Sequence, residues 1–311
     1  MLAPTRKRRA LASTGIVIVA LGALGWGSAG ASTPPSTDPA PDSSAPASAA
    51  STPVTAGAGT TLYSVDLASG AATEVGQVGD GLNLVGLAIA QADSLGSVYG
   101  LTDAGELATF DAASPGDATV VSITGLGQDA PLLGIDVRPA DGSIMALSTG
   151  GVVYSITPDG AATAVGTGID PTIESPAFGW DFNPTVDRIR VDVSTGQNLR
   201  LNPDTGVVGT NPDTGMPTID GNLAFAAGDA NFGTDPQVVG AGYTNSVADA
   251  EATELYAVDA ATGVLAVQDP PNDGVLNTVG DLGVELTEAT SFDIAPTGEA
   301  LLAVPADAFG G

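Results

Sequence analysis

From Thr60 onward the chain repeats itself. An apolar run followed by a polar turn and a second apolar run recurs as "GLAIAQADSLGSVYGLT" (86–102), "GIDVRPADGSIMALST" (134–149), "GWDFNPTVDRIRVDVS" (179–194), "GAGYTNSVADAEATELYAVD" (240–259) and "SFDIAPTGEALLAV" (291–304). Successive starts lie 48, 45, 61 and 51 residues apart. A second element follows each of the first four, for example "GVVYSITPDGAATAVG" (151–166) and "QNLRLNPDTGVVG" (197–209). The runs are short and alternate apolar with polar residues, and Gly, Asp-Gly, Asn-Pro and Thr-Gly punctuate them, which is strand-and-turn chemistry. No helical period follows residue 31.

About four strands every 45 residues or so is the period of a β-propeller blade. The two ends support this reading. The repeat opens on a second element alone, "LYSVDLASGAATEVGQVG" (62–79), and closes on a first element alone, 291–304. Pairing them completes a blade and removes the open edges that a linear sheet would expose. The expectation is an all-β propeller of about five blades over 60–304, closed by its N- and C-terminal strands. The 61-residue interval leaves room for a sixth. An irregular β-sandwich is the alternative.

Ahead of the repeat, "TRKRRA" precedes the apolar run "GIVIVALGALGWGSAGA". A basic start, a short apolar core and a small-residue end form a secretory signal over 1–31, cleaved after Ala29-Gly30-Ala31. An uncleaved membrane anchor is the alternative, although the core is short for a full membrane span. Residues 32–59 are rich in Pro, Ala, Ser and Thr without apolar period and read as an extended spacer; 305–311 form a C-terminal tail. The implied location is extracellular, or associated with the cell wall, with no membrane span after cleavage.

The chain carries 8 Lys and Arg against 36 Asp and Glu, with no His and no Cys. Four of the cations lie within 1–31, so the remainder holds four cations against 36 acids, a charge of −32. Such a field repels nucleic acid and anionic lipid. Without His or Cys there is no Ser-His-Asp set, no Cys-His set and no zinc site of the usual kind.

The long phrases "GWDFNPTVDRIRVDVSTGQNLRLNPDTG", "DGNLAFAAGDANFGTDPQVVGAGYTNS" and "ELYAVDAATGVLAVQDPPNDGVLNTVGDLG" resemble a bacterial secreted family, DUF4394, over roughly 60–304. That resemblance implies secretion and a propeller-like repeat. It implies no activity.

Three of the four cations beyond residue 31 fall in one segment: Arg188, Arg190 and Arg200. Alternation in "DRIRVDVS" sets Arg188, Arg190 and Asp192 on the face opposite Ile189, Val191 and Val193, and the short "TGQ" connection brings Arg200 alongside. The arginines could form an ion-pair network with Asp181, Asp187 or Asp192, or a site for an anionic ligand, which a guanidinium recognises through its planar fork. The candidate ligand set is Asp181, Asn183, Arg188, Arg190, Arg200, Tyr243 and Asn245. A second cluster is rich in Asp and Asn: Asn202, Asp204, Asp220, Asn222, Asp229 and Asn231, together with Asn211 and Asp213. Calcium takes oxygens of this kind from Gly-containing turns, although no EF-hand loop is present and Asp and Asn are also ordinary turn residues.

A carboxylate pair could cleave a glycosidic bond. Asp181, Asp187, Glu251, Glu254, Glu285 and Glu288 are candidates too numerous for sequence to choose among, and the aromatic residues that could hold a sugar (Trp180, Phe182, Phe225, Phe232, Tyr243) are few. The expected function is an extracellular binding module, calcium-supported in one version, whose partner is a cell-envelope glycan or other extracellular ligand. A carboxylate-dependent hydrolase or lyase acting on polysaccharide, and a structural envelope protein, are the alternatives.

Overall fold

The two ends of the repeat meet in one sheet. Strand Thr61–Val65 pairs antiparallel with Ala300–Val304, Leu62 lying opposite Ala303. The sheet continues to Ser291–Ile294 on one side and Ala72–Gln77 on the other. This is the closure that the orphan elements predict. The structure is a computed structural model that describes residues 59–90, 97–127, 131–166, 168–169, 172–209 and 217–306. The segments read as signal and spacer therefore lie outside the described residues apart from Gly59, as do Asn211, Asp213 and most of the C-terminal tail.

Four further sheets follow in chain order. Blade one holds Leu84–Ile89, Ser97–Thr102, Glu106–Asp111 and Ser114–Ser122. Blade two holds Leu132–Val137, Ile144–Ser148, Val153–Ile156 and Ala162–Val165. Blade three has three strands, Phe178–Asn183, Arg188–Val193 and Asn198–Leu201. Blade four holds Val238–Tyr243, Leu255–Asp259, Val264–Gln268 and Val275–Asp281. The closure sheet is blade five. The first strands of successive blades touch in a closed ring, so the protein is a five-bladed β-propeller with no α-helix among the described residues.

The long interval after blade three forms no sixth blade. Its strand Ala224–Phe225 adds parallel to Val275–Asp281 at the edge of blade four. On the way, Leu223 N–H donates to Gly196 of blade three, while Gly221 and Ala224 donate to Asn272 and Gly274 beside blade four. Residues 217–225 are thus a strap across the seam between the two blades.

Glycine at the start of the inner strands permits the tight ring. A Cβ on Gly179 would lie 2.5 Å from that of Ala241, and one on Gly240 would lie 2.7 Å from that of Phe292. Both neighbours belong to the next blade, so any side chain there would force the strands apart.

Apolar clusters fill the seams between blades five and one, one and two, two and three, and four and five. The seam between blades three and four differs. Its apolar residues come from blade four and the strap, and no blade-three residue joins them.

Candidate functional site

Blade three has two chemically opposite faces because its strands alternate strictly. Trp180, Phe182, Ile189, Val191, Leu199 and Leu201 turn toward blade two and are buried there. On the other face the register sets Asp181 opposite Arg190, Arg190 opposite Arg200, Asn183 opposite Arg188, and Asp192 opposite Asn198. Blade four and the strap cover this polar face.

Burial on that side requires partners for each charge. Arg190, 1% exposed, donates through Nη1 to Asp220 Oδ2 at 2.8 Å and to Asn198 Oδ1. Its Nη2 donates to Asn272 Oδ1 at 2.9 Å and its Nε to the Tyr243 hydroxyl at 3.4 Å. Arg200 grips the same Asp220 in a two-point fork, Nε to Oδ2 at 2.6 Å and Nη2 to Oδ1 at 2.7 Å. The strap therefore carries the carboxylate that holds two facing arginines together. The partner is neither Asp181, Asp187 nor Asp192. Asp187 is engaged by Arg138, which also bonds Asp204. Asp192 lies near Arg190 without bonding it. Burial pushes the Asp192 carboxyl up to about 6, against the opposing pull of Arg190 and the Gln268 amide. Asp192 Oδ2 and Gln268 Oε1, both buried, have no hydrogen-bond partner.

Arg188 is different. It is exposed, and its Nη1 donates only to the backbone carbonyls of Val186 and Asp187. No carboxylate lies within ion-pair reach among the described residues. Its guanidinium, with Arg190, Arg200, Tyr243, Asn183 and Asn272, lines a cavity of about 190 Å³ that Val186 and Pro271 complete. Among the described residues, no acidic one lines it. Five of the seven residues singled out for a ligand thus meet in one cavity: Asn183, Arg188, Arg190, Arg200 and Tyr243. Asn245 sits apart in a loop, its amide bonded to Ala252.

Asp181 belongs to a second constellation. The third position of each first element, Ala88, Asp136, Asp181, Gly242 and Asp293, falls at the same level of the inner ring, and the following residue points its N–H inward. Three aspartates satisfy all five of these donors. Asp293 accepts from Ile89 at 2.5 Å and Ile294 at 2.6 Å. Asp136 accepts from Val137 at 2.6 Å and Phe182 at 2.9 Å. Asp181 accepts from Tyr243 N–H and shares a hydrogen bond with Asp293. One oxygen from each carboxyl lies within 4.8 Å of the others, close enough to hold a cation together. Burial, followed by mutual repulsion, holds Asp136 and Asp181 well above the usual carboxylate range. Burial also lifts Asp293 to about 6.

The residues marked for calcium are dispersed. Asn202 closes a turn onto Asp204 N–H, and Asp204 bonds Arg138. Asp220 holds the two arginines. Asp229 accepts from Asn231 N–H and from Thr278 through both its N–H and hydroxyl, and Asn231 also reaches Thr278. Asn222 sits in the strap. Among the described residues, the carboxylate group that could hold an ion is the inner ring instead. Of the acids weighed for glycoside chemistry, Asp181 is in that ring, Asp187 is held by Arg138, and Glu288 lines a depression at the mouth of the ring with Trp180 and Ser291.

Sequence reading missed Asn198 and Asn272, which position Arg190, and Asp136 and Asp293. The last two had a signal: "GID", "GWD" and "SFD" align at the same step of the repeat.

A family model described as a domain of unknown function, DUF4394, matches residues 106–309. The chain belongs to this family. The matched stretch of the DUF4394 chain begins inside blade one, later than Thr60. No curated protein matches it. Solved structures similar to it include BamB from Moraxella catarrhalis, 13% identical, covering 75% of this chain and 88% of that one with a TM-score of 0.35. A catalytically inactive virginiamycin B lyase from Staphylococcus aureus with quinupristin is 14% identical over 78% of this chain and 87% of that one, TM-score 0.40. YCF48 bound to D1 peptide is 13% identical over 64% of this chain and 52% of its own length, TM-score 0.33, so the DUF4394 chain spans about half of it. No helix among the described residues is long and apolar enough to cross a membrane.

Proposed function

We propose that this protein is an extracellular binding module that receives an anionic ligand in the arginine cavity. One observation carries the reading. In a chain with 36 acidic residues, three of the four cations beyond the N-terminal segment line one cavity that no acid among the described residues lines. Asp220 bonds both Arg190 and Arg200, and Asp192 lies near Arg190 without bonding it. Arg190 and Arg200 are held in place by Asp220, so their orientation is set before a ligand arrives, which lowers the entropic cost of binding. Arg188 supplies a guanidinium that pairs with no carboxylate among the described residues. The formal net charge of −28 repels long polyanions, which favours a small anion or a single anionic group at the end of a glycan or other extracellular molecule.

Isothermal titration of the purified protein with sulfate and with acetate at low ionic strength tests this. Saturable binding, weakened about tenfold or more by Arg188→Ala while the circular dichroism spectrum is unchanged, is expected. Absence of binding to both anions overturns the reading.

A further inference from the structure

The cavity's polar lining is one-sided in its hydrogen-bonding capacity. Each side-chain oxygen that lines it already accepts. Asn183 Oδ1 takes Thr185 N–H and its hydroxyl. Asn272 Oδ1 takes Arg190 Nη2, and the Tyr243 oxygen takes both Arg190 Nε and the Asn183 amide. Both Asp220 oxygens, just behind the wall, accept from the arginines. The donors are not used up. Arg188 Nε and Nη2, Arg200 Nη1, the Asn272 amide and the Tyr243 hydroxyl proton have no acceptor among the described residues.

Resting on the anion reading above, we propose that this site selects oxyanions that carry no proton, namely carboxylates and sulfates, and discriminates against hydrogen phosphate and its monoesters in their protonated form. A ligand hydroxyl pressed against this wall must share an oxygen that already accepts, whereas a proton-free oxyanion meets unused donors directly, and a poorly made bond of the first kind costs more than an ordinary one contributes. Charge is not the discriminating quantity. Sulfate and hydrogen phosphate at pH 8 carry the same formal charge and nearly the same shape, and they differ by one proton.

The test is titration calorimetry on charge-matched pairs at low salt: sulfate against inorganic phosphate at pH 8, and methyl sulfate against methyl phosphate at pH 5, where the monoester keeps one proton. Comparing within each pair at one pH cancels changes in the protonation of Asp192, the acid beside Arg190. The proton-free member is expected to bind roughly ten- to a hundredfold tighter in both pairs. Acetate, run alongside, tells whether the carboxylate or the sulfate geometry fits better. Asn272→Asp adds an acceptor to the wall, and the sulfate preference is expected to collapse toward parity in that variant. Equal affinity within both pairs overturns the selectivity while leaving anion binding intact. Failure of every anion to bind overturns the underlying reading instead. A preference that survives unchanged in Asn272→Asp, with the fold confirmed by circular dichroism, also overturns the assignment.

Discussion

The two sides of blade three are sealed by opposite chemistry. Toward blade two, Trp180, Phe182, Ile189, Val191, Leu199 and Leu201 pack without a charge between them. Toward blade four, Arg190, Asp192, Asn198 and Asp220 are equally buried and are joined by hydrogen bonds to Tyr243, Asn272 and the strap. The first seam draws its stability from removing apolar area from water. The second recovers in bonds roughly what desolvating its charges costs, and a network of this kind contributes geometry more than stability. The difference shows why the cavity is where it is. A seam with no excess of apolar area to protect can leave room for three arginines and an opening between them.

The comparison can be broken first on the apolar side. Phe182→Ala empties a fully buried site and is expected to destabilise the fold by about 3–5 kcal/mol, read as a lowered denaturant midpoint. A loss under about 1 kcal/mol would mean that the seam between blades two and three is no more specific than its neighbour. Asp220→Asn comes next. It keeps the shape but removes the carboxylate between two guanidinium groups, one of them buried, at an expected cost of about 3 kcal/mol in the same assay. Little loss there would show that Arg190 and Arg200 tolerate one another unaided.

Acidity sharpens the comparison further. Asp192 and Asp293 are held at about 6 by burial, above the unfolded value near about 4. Folding therefore takes up protons between those values, so stability is greatest on the acid side and falls as pH rises from about 4 to about 6. The melting temperature at pH 5 is expected to exceed that at pH 7. Asp192→Asn should flatten the part of that slope belonging to the polar seam, leaving the part from the inner ring. Melting curves with a maximum near neutrality would contradict both assignments. Arg188→Ala is expected to change stability by less than about 0.5 kcal/mol, since its side chain is exposed and bonds only carbonyls. A large loss would make Arg188 part of the seam rather than of the cavity. Chelation should have the least effect of all. The carboxyls of the inner ring already accept from backbone N–H groups, so added chelator should leave the melting temperature unmoved, and a drop of several degrees would place a cation there.

Much of this geometry was legible because a strand has a period of two. Arg188 and Arg190 had to share a face, and a three-residue connection brought Arg200 beside them. Ring closure was legible from the incomplete elements at each end. Asp220 was not, because it reaches the arginines through a strap whose path no local pattern encodes, and turn chemistry explained an Asp-Gly-Asn stretch equally well. Asn272 arrives from the far side of blade four. The inner ring lay within reach of the sequence, in the aspartates at the third step of three of the five repeats, but their convergence appears only when five strands are placed around one axis.

The strap divides labour within the chain in a way that matters for engineering. The blades set the scaffold through their alternation and their glycines, whereas the carboxylate that balances the cavity's arginines is carried on residues 217–225, outside any blade's own hairpins. Replacing Asp220 alone would reset the charge beside the arginines while leaving Leu223 and Phe225, which pack against blade four, untouched.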